Sequence, residues 1–596
     1  MLNETGKNWI SHLLASALSD LKLTSYLDSL DIKVPDLSFG DYSTNAALIL
    51  GKKLKQNPKE VANQIIARIQ ENELAKDLVT MREAGGFINF TLTPQFLFTN
   101  LNRILDQGDL YGCSVIGGGK TVLVEYFANN VAKPPHVGHL RSAVIGDCLL
   151  RVFRSQGFKA VSDTHIGDWG TQFGILLFAY KEFIKGGGDK KQIEADPINE
   201  LNKLYVGMSA KIESQPELRD LGKEEFARLE KGDAENRELW QWFVRVSLED
   251  FENYRKILDI LPFDHNLGES FYEDKMPAIL ADLKQKGLLV ESQGAQVVNL
   301  ESQKMGFAVL VKSDGATTYL TRDVATIKYR VEDMKLEKML YVVDNRQSHH
   351  FNQLFEIAKQ ASYVSDPNVA ELVDFGFMSL PEGAISTRKG TTISLKNLIE
   401  EARARAMQII EEKNPALENK QTIAAQVALA AIKYFDLSHN RKTEIVFTWD
   451  KALSFEGNTG PYLQYTHARI HGILRKINKS DVIPEATSAS EGYPESINSL
   501  DPGSEAGMTQ HELFVLRKLI QYPEVIAQVT KDYLPNNLCN YLFELSQTFN
   551  SFYQEVPVSQ EKDEKIRDFR LKLITATAQV IRNGLYLLGI EAPEEM

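Results

Sequence analysis

The sequence has few cysteines and no long apolar run. Its 596 residues contain only three cysteines, Cys113, Cys148 and Cys539, which are odd in number and far apart. That pattern argues against a disulfide framework or a cysteine-rich metal site and predicts reduced thiols. The chain lacks the run of about 18 apolar residues that a membrane span needs, and its first residues lack the pattern of a secretory signal. We therefore expect a cytoplasmic protein that does not enter a membrane.

Positively charged residues are fewer than negatively charged ones. Lys and Arg number 67 against 80 Asp and Glu, so the formal net charge is −13. This argues weakly against nonspecific binding of polyanions, but it leaves room for a nucleic-acid enzyme with local basic patches, because net charge does not describe distribution. The apolar fraction of 43% and the charged fraction of 25% are typical of soluble globular proteins. The length predicts about three to five domains.

Hydrophobic periodicity divides the first two thirds of the chain into two units. Residues 1–112 predict an α+β domain, in which helical segments flank a turn and a short strand. Residues 117–395 alternate β-branched runs with helices, which is typical of a Rossmann-like parallel sheet. The strands predicted for this sheet are 121–127, 159–164, 308–311, 339–343 and 372–376.

Helical patterns dominate the rest. The charged stretch from about 178 to 300 has a helical pattern and is predicted to be an insertion in the sheet domain. Residues 396–455 are predicted to form a connecting helical region. Residues 456–596 are predicted to form an all-α bundle. The predicted fold class is therefore multidomain α/β, with a Rossmann-like parallel-sheet domain, helical insertions, an N-terminal α+β domain and a C-terminal helical bundle.

His136-Val137-Gly138-His139 lies where the first strand of the predicted sheet gives way to a helix. A glycine at such a corner lets the backbone approach a phosphate, and a helix N-terminus offers unpaired N–H groups and partial positive charge. The imidazoles can donate to phosphate oxygens whose charge grows as a phosphoanhydride breaks. The motif predicts chemistry at the α-phosphate of a nucleotide. Two alternatives are ordinary histidines at a helix start and metal ligation, although neither H-E-x-x-H nor a cysteine cluster accompanies the pair.

Two groups of cations accompany the histidines. Lys133 lies three residues before His136, and beside an anion site it is a candidate phosphate ligand, with an ordinary solvated lysine as the alternative. A second loop, Ile385-Ser386-Thr387-Arg388-Lys389-Gly390, follows the strand predicted at 372–376, at the sheet edge where ligands bind. It is suited to clamp a leaving pyrophosphate, but short basic loops are common and the loop alone is weak evidence.

Together the two motifs resemble the signature pair of class I aminoacyl-tRNA synthetases, H-x-G-H followed by a K-M-S-K-S-type loop. Further segments narrow the resemblance to the arginyl-tRNA synthetase family across the whole chain. They are Glu125 to Ser142, Gly167 to Gly174, Asp314-Gly315, Tyr319 to Asp323, Gln347 to Phe351, Gly457 to Tyr465 and Leu587 to Met596. Several independent motifs in the right order make this resemblance specific.

The resemblance implies a two-step reaction. Arginine and ATP would give arginyl-adenylate and pyrophosphate, and the arginyl group would pass to the 2′-OH of the 3′-terminal ribose of tRNA(Arg). Members of the family typically need bound tRNA before they activate arginine. Magnesium would accompany ATP without a dedicated protein metal site. The expected partners are tRNA(Arg), L-arginine and ATP, with the enzyme a monomer.

By matched position, the arginine pocket would consist of Glu125, Asn130, Tyr319, Asp323 and Gln347. A guanidinium has five donors and a permanent charge, so a selective pocket needs fixed carboxylates and an aromatic or amide surface. Asp323 would pair with the guanidinium, Tyr319 would cover its face, and Glu125 and Asn130 would suit the α-ammonium end. The alternative for Asp323 and Glu125 is an ion pair within the protein.

The same resemblance assigns Lys133, His136, Gly138, His139 and Lys389 to ATP, and adds Ser386 and Arg388 to the catalytic set. The loop departs from K-M-S-K-S, because Ser386-Thr387-Arg388 has neither lysine in place and Lys389 falls one position later. The arginyl family often has this form, with the lysine before H-x-G-H thought to take over. Which cation contacts which phosphate stays open.

For tRNA, the resemblance implies that residues 1–112 touch the outer corner, that 396–455 approach the acceptor stem and that 456–596 bind the anticodon loop. The candidate contact residues are Asn45, Phe87, Tyr465, Tyr553 and Met596. Exposed aromatics can stack on bases, but aromatics at helical spacing are more often core.

Two rival functions remain at this point. One is a nucleotidyl transferase that shares H-x-G-H and acts without tRNA, but such enzymes are usually shorter and lack the helical C-terminal part. The other is a tRNA-binding relative without activity, which would be favoured by loss of Lys133, His136 or His139. None of these is lost.

Overall fold

The computed structural model of the chain describes residues 6–24, 30–379, 394–480 and 508–596. Its elements follow the order that the sequence predicts, with a mixed N-terminal part, a parallel sheet with insertions and a helical C-terminal part. None of the described helices is both long enough and apolar enough to cross a membrane. The three cysteines are free thiols.

The N-terminal part is an antiparallel sheet covered by helices. Its elements are α1 (Gly6–Asp20), β1 (Ile32–Lys33), β2 (Tyr42–Thr44), α2 (Ala46–Leu54), α3 (Pro58–Gln70), α4 (Glu73–Leu78), β3 (Val79–Ala84), β4 (Phe87–Leu92) and α5 (Pro94–Gln107). The strand order is β1-β2-β4-β3 and each pair is antiparallel. Asn57 and Thr93 cap α3 and α5 through their side chains, and a proline follows each cap, so the sequence itself marks both helix starts.

The central part is built on a parallel sheet. Its elements are β5 (Thr121–Glu125), α6 (Val137–Ser155), β6 (Lys159–Asp163), α7 (Thr171–Lys185), α8 (Lys190–Ala195), α9 (Pro197–Ser214), α10 (Leu218–Glu230), α11 (Ala234–Ile257), α12 (Met276–Gln285), β7 (Leu289–Ser292), β8 (Ala295–Asn299), β9 (Phe307–Val311), α13 (Tyr319–Glu332), β10 (Lys338–Asp344), α14 (Ser348–Gln360), β11 (Ala370–Phe375) and β12 (Met378–Ser379). The order is β11-β10-β5-β6, all parallel. The order reverses between β5 and β10, and such reversals leave a ligand crevice at the carboxyl ends of the strands.

The predicted parallel strand at 308–311 is wrong in its sheet assignment. That segment is β9, and it belongs to a separate antiparallel sheet of order β7-β8-β9. The stretch from about 178 to 300 therefore contains two strands besides its helices. Gln293 and Gly294 join β7 to β8 with positive φ angles of 52° and 78°, as a two-residue hairpin turn requires. A short apolar run predicts a strand but does not reveal its neighbour.

The C-terminal part is helical, as predicted, except for the two-residue strand Ile445–Val446, which pairs with β12. Its elements are α15 (Leu395–Lys413), α16 (Lys420–Leu437), β13 (Ile445–Val446), α17 (Trp449–Ala452), α18 (Gly460–Ser480), α19 (Gln510–Asp532), α20 (Pro535–Glu555) and α21 (Glu564–Leu587). In the described residues beyond 456, every regular element is a helix. The N-terminal part packs on these helices, where Tyr42 Oη donates to Glu524 Oε1 at 2.7 Å and Arg517 pairs with Asp41 at 2.8 Å.

α6 is the helix around which the parts assemble. Fifteen of its 19 residues are buried, between the parallel sheet and helices α16, α19, α20 and α21. The burial includes charged groups. Arg141 pairs with Asp436 on α16 at 3.1 Å, and its Nη1 donates to the carbonyl oxygens of Gly376 and Thr443 at 2.6 and 3.0 Å. Arg141 thereby ties the first turn of α6 to the segments that carry β12 and β13.

We expect Arg141→Met to lower the free energy of unfolding by about 3–5 kcal/mol, because it leaves the buried Asp436 carboxylate without its partner. Denaturant unfolding followed by tryptophan fluorescence measures the change. The control is Arg68→Met, which removes an exposed pair with Glu71 at 2.7 Å and should cost less than about 1 kcal/mol. Equal effects of the two substitutions would contradict the structural role of Arg141.

Candidate active site

The two histidines of the H-x-G-H motif cap each other at the start of α6. His136 is the N-cap residue, and its Nδ1 accepts a hydrogen bond from the backbone N–H of Gly138 at 3.0 Å. His139 Nδ1 accepts from the backbone N–H of His136 at 3.1 Å. The two rings lie 4.0 Å apart between centroids. This is a capping box built from two imidazoles.

The capping geometry fixes where the ring protons are. A neutral imidazole carries one N–H, and because both Nδ1 atoms accept, both Nε2 atoms must donate. Burial lowers the pKa of His139 to about 3, and burial together with the charge of Arg346 lowers the pKa of His136. Both rings are therefore neutral near pH 7, with two Nε2–H donors left for a ligand. The pair suits a phosphate that gains charge during reaction.

We expect the neutral state of His139 to make the protein less stable in acid. The unfolded chain binds a proton near pH 6.5, whereas the folded ring does so only near its pKa of about 3, so the free energy of unfolding falls as pH falls through this window. The slope contributed is about 1.4 kcal/mol per pH unit. Denaturation of the native protein and of His139→Asn between about pH 6.5 and about pH 4 measures the difference, and identical slopes would contradict the lowered pKa.

Gly138 has a steric role besides backbone exposure. A Cβ at this position would lie 2.7 Å from Cε1 of His136, a distance at which the ring would have to move. Any side chain at position 138 would therefore displace the N-cap imidazole. The glycine of the motif is needed for the ring arrangement itself.

Two hydrogen bonds hold the backbone of the two residues before Lys133. The backbone N–H of Val131 donates to Gly167 at 3.2 Å, and that of Ala132 donates to Ser247 Oγ at 2.9 Å. Ala132 has a left-handed φ of 58°. The Lys133 ammonium lies 4.7 Å from the ring centroid of Tyr205 on α9, and burial lowers its pKa. Among the described residues the ammonium group has no carboxylate partner, so its charge is available to an anion.

The predicted loop residues Ser386, Arg388 and Lys389 lie outside the described residues. Described residues on either side of that loop contact the beginning of α6 or the residues just before it. Ser394 forms an antiparallel bridge with His136, and the backbone N–H of Leu395 donates to Pro135 at 3.2 Å. On the other side, Arg141 holds Gly376, which precedes β12. The chain thus enters and leaves the loop beside the start of α6.

The predicted arginine-binding residues lie at the carboxyl ends of the strands and at the start of α13. Glu125 ends β5 and is only 4% exposed. It pairs with Arg330 at 2.5 Å, and Arg330 also pairs with Asp163 at 2.7 Å. The internal ion pair that the sequence left open as an alternative is therefore present for Glu125. Asn130 and Gln347 are exposed and follow β5 and β10 in the chain.

Asp323 has a different environment. Its Oδ2 accepts from His350 Nε2 at 2.5 Å, and its Oδ1 lies 3.7 Å from His165 Nε2. Burial raises the pKa of Asp323, but the polar interactions with His165 and His350 outweigh burial and hold this pKa well below its usual range. Asp323 is therefore an anion whose partners are histidines, which can lose their protons. Tyr319, one helical turn earlier, is 51% exposed and turns its ring toward the Arg322 guanidinium at 4.8 Å.

Comparisons with known proteins decide the family. Residues 100–449 match the model of the class I tRNA synthetase (R) catalytic domain, residues 463–596 the DALR anticodon binding domain, and residues 8–92 the arginyl tRNA synthetase N terminal domain. The chain is 37% identical over 591 residues to the arginine–tRNA ligase of Alkaliphilus metalliredigens, covering 99% of both chains. It is 38% identical over 590 residues to that of Clostridioides difficile, covering 98% of this chain and 99% of the relative.

The chain belongs to the arginyl-tRNA synthetase family. Solved structures agree. The Thermus thermophilus arginyl-tRNA synthetase aligns with a TM-score of 0.79 at 26% identity, covering 99% of this chain and 100% of that one. The Plasmodium falciparum enzyme aligns with a TM-score of 0.77 at 25% identity, covering 100% of this chain and 99% of that one. Membership makes the chain an ATP-dependent ligase of the class I aminoacyl-tRNA synthetases.

Several charged residues of this crevice were not predicted as site residues from the sequence. They are Asp163, His165, Glu269, Arg322, Arg330 and Arg346, which surround the predicted set. Burial would lower the pKa of His165, but the charges of Glu125 and Asp323 raise it to about 9. Asp163 and His165 had a usable signal, since they end a predicted strand or follow it. Glu269 had none, because it comes from the insertion.

The predicted tRNA-contacting residues of this family member lie in different settings. Phe87 on β4 and Tyr465 on α18 are 42% and 46% exposed, so both rings can reach a ligand. Tyr553 stacks on Phe549 at 6.1 Å and lies under Arg469. The carbonyl oxygen of Met596 accepts from Asn414 Nδ2 at 3.0 Å, and Asn45 is the N-cap residue of α2. Their roles in tRNA binding stay predictions.

Proposed function

We propose that this chain joins arginine to the 3′-terminal ribose of tRNA(Arg), and that both steps take place in the crevice at the carboxyl ends of β5 and β10. One observation carries the placement of the chemistry. The mutual capping of His136 and His139 leaves two neutral Nε2–H donors at a helix N-terminus. The charge of Lys133 acts on His139, and this ammonium has no carboxylate partner among the described residues. Family membership supplies the substrates, since relatives along the full length are arginine–tRNA ligases.

In the first step, the carboxylate of arginine attacks the α-phosphorus of ATP, and the bond to the β-phosphate breaks. Negative charge grows on the phosphate oxygens and on the leaving pyrophosphate. We assign His136 and His139 to the α-phosphate oxygens, because donors placed where charge develops stabilise the transition state more than the ground state. Lys133 compensates the charge of the pyrophosphate. Gly138 keeps the two rings in place, and Ser386, Arg388 and Lys389 remain assigned to the phosphates by sequence alone.

For substrate recognition, we assign Asp323 to the guanidinium and Tyr319 to its flat face. The support is the low pKa of Asp323, which keeps the carboxylate charged, and the Arg322 guanidinium that already lies over the Tyr319 ring at 4.8 Å. Glu125 contributes negative charge from within its pair with Arg330, and Asn130 and Gln347 border the crevice. A neutral analogue of arginine would leave Asp323 without its charged partner, which is the source of discrimination.

In the second step, the 2′-OH of the terminal ribose attacks the arginyl carbonyl and AMP leaves. We propose that residues 456–596 hold the anticodon loop, that 396–455 approach the acceptor stem and that 1–112 contact the outer corner of the tRNA. Exposure of Phe87 and Tyr465 supports this arrangement.

Magnesium is proposed to arrive with ATP. The described residues contain no group of three or more His, Cys, Asp or Glu side chains that could hold a metal ion. Mg²⁺ keeps several waters and is commonly held through substrate phosphates, where it would neutralise charge. We further propose a monomer that acts in the cytoplasm. Multi-angle light scattering at micromolar concentration would test the monomer, and a mass of twice 67.1 kDa would contradict it.

The test is amino-acid-dependent ATP–pyrophosphate exchange with each of the twenty amino acids, with and without total tRNA. Exchange with arginine, and only when tRNA is present, would support the substrate, the reaction and the coupling to tRNA together. Exchange with a different amino acid would overturn the pocket assignment. The absence of exchange in every case would favour a tRNA-binding relative without activity.

A further inference from the structure

The position of Lys133 depends on residues outside the parallel sheet. Tyr205 lies on α9 and Ser247 on α11, and both helices belong to the insertion between β6 and α13. Ser247 is fully buried, and its Oγ accepts a hydrogen bond from the backbone N–H of Ala132 at 2.9 Å. The same hydroxyl group donates to the carbonyl oxygen of Phe243 at 2.7 Å. The insertion therefore fixes the backbone of the residue before Lys133.

Tyr205 contacts the ammonium end of the Lys133 side chain. The Lys133 ammonium lies 4.7 Å from the centroid of the Tyr205 ring, within the distance at which a cation is attracted by the face of an aromatic ring. Val131, Ala132, Gln172, Phe173 and Leu176 line the small cleft around this contact. Because a lysine stem has four rotatable carbons, an unrestrained ammonium group would lose entropy on binding a phosphate.

We propose that Tyr205 is a positioning residue for ATP activation, which holds the Lys133 ammonium in place for phosphate through its ring face. This inference rests on the proposed phosphate role of Lys133 and extends it to the insertion. It places part of the phosphate site under the control of α9, a helix that carries no sequence motif.

A set of substitutions separates the ring from the hydroxyl group. Tyr205→Phe keeps the ring and should retain kcat for pyrophosphate exchange within about twofold. Tyr205→Leu should lower kcat about tenfold, because this is the loss expected when a partly desolvated cation–π contact is removed. The KM for arginine should stay unchanged. Equal kcat values for the Phe and Leu variants would overturn the proposal.

The pH profile gives a readout that a merely structural role would not move. An aromatic face favours the charged form of Lys133, and burial already lowers the pKa of this lysine. Without the ring the pKa falls further, so the alkaline limb of kcat should move to lower pH in Tyr205→Leu and stay in place in Tyr205→Phe. A limb that does not move in Tyr205→Leu would contradict the role.

A double-substitution cycle shows whether Tyr205 acts through Lys133. In the Lys133→Met background, Tyr205→Leu should have no further effect on kcat. An equal tenfold loss in both backgrounds would overturn the proposal. Normal exchange by Lys133→Met would instead refute the proposed function of the lysine, so the two failures are distinguishable.

Matched controls address folding. Trp242→Leu removes another half-buried ring of the insertion, which contacts the Lys190 ammonium at 5.8 Å, and it should leave kcat unchanged. If Tyr205→Leu does not fold, stepwise fluorination of a phenylalanine at position 205 keeps the ring shape while weakening its negative face. A stepwise fall in kcat supports the proposal, and a constant kcat overturns it.

Discussion

His139→Asn should lower the rate of arginine-dependent pyrophosphate exchange by at least about two orders of magnitude, with the protein still folded. Removal of one donor aimed at a developing oxyanion typically costs about 10²–10³ in kcat. Asparagine is the informative replacement, because its side-chain oxygen can accept the backbone N–H of His136 as Nδ1 does, while nothing replaces Nε2–H. The change therefore removes the proposed catalytic donor and keeps the helix cap.

Exchange measured at saturating arginine, ATP and tRNA tests this expectation. The same substitution at His136 should give a loss of similar size. Its Nδ1 accepts from the backbone N–H of Gly138, and its Nε2 has no hydrogen-bond partner among the described residues. The control is His471→Asn on α18, a histidine 4.0 Å from Glu594 and far along the chain from the motif. Near-normal turnover by His139→Asn would refute the assignment of this ring to the α-phosphate.

Asp323→Asn should raise the KM for arginine by about two orders of magnitude. The substitution removes the charge that we assign to the guanidinium, and a charge-assisted hydrogen bond to a buried group contributes about 1.5–3 kcal/mol. His165 and His350 would also lose an anion that raises the pKa of both rings. The change in kcat should be smaller than the change in KM, because the carboxylate binds a part of arginine that does not react.

Steady-state aminoacylation over a range of arginine concentrations measures the effect. Citrulline, the neutral analogue of arginine, provides a second readout, since the preference for arginine should shrink in Asp323→Asn. Glu332→Gln is the matched control, because Glu332 ends the same helix and lies 3.9 Å from Lys328 in an exposed position. An unchanged KM in Asp323→Asn would show that Asp323 serves only its histidine partners.

The structure alters how the predicted arginine pocket is understood. Sequence reasoning assigned Glu125 to the substrate and left an internal ion pair as the alternative. Glu125 does form such a pair, with Arg330, and Arg330 is itself shared with Asp163. A buried arginine between two carboxylates leaves one net negative charge at the carboxyl ends of β5 and β6. Asp323, with two histidines as partners, is therefore the stronger candidate for direct contact with the guanidinium.

The sequence determined the order and type of most elements. The helical and strand segments could be predicted because periodicity, N-caps and glycine positions are local signals. The start of α6 is an example, since His136 caps the helix and Gly157 follows its end with a φ of 77°. The histidine motif, its lysine and the family could also be identified from the sequence, because a residue pattern keeps its spacing whatever the remainder of the chain does.

Only the tertiary structure decided which distant groups meet. The sheet that receives β9, the partner of Glu125 and the aromatic ring under Lys133 are each set by segments far along the chain. A run of apolar residues or a lone tyrosine carries no record of its neighbour, because packing depends on the shape and charge of surfaces brought together after the local elements form. The local chemistry of the active site follows from the sequence, while the charge state and position of its groups follow from the fold.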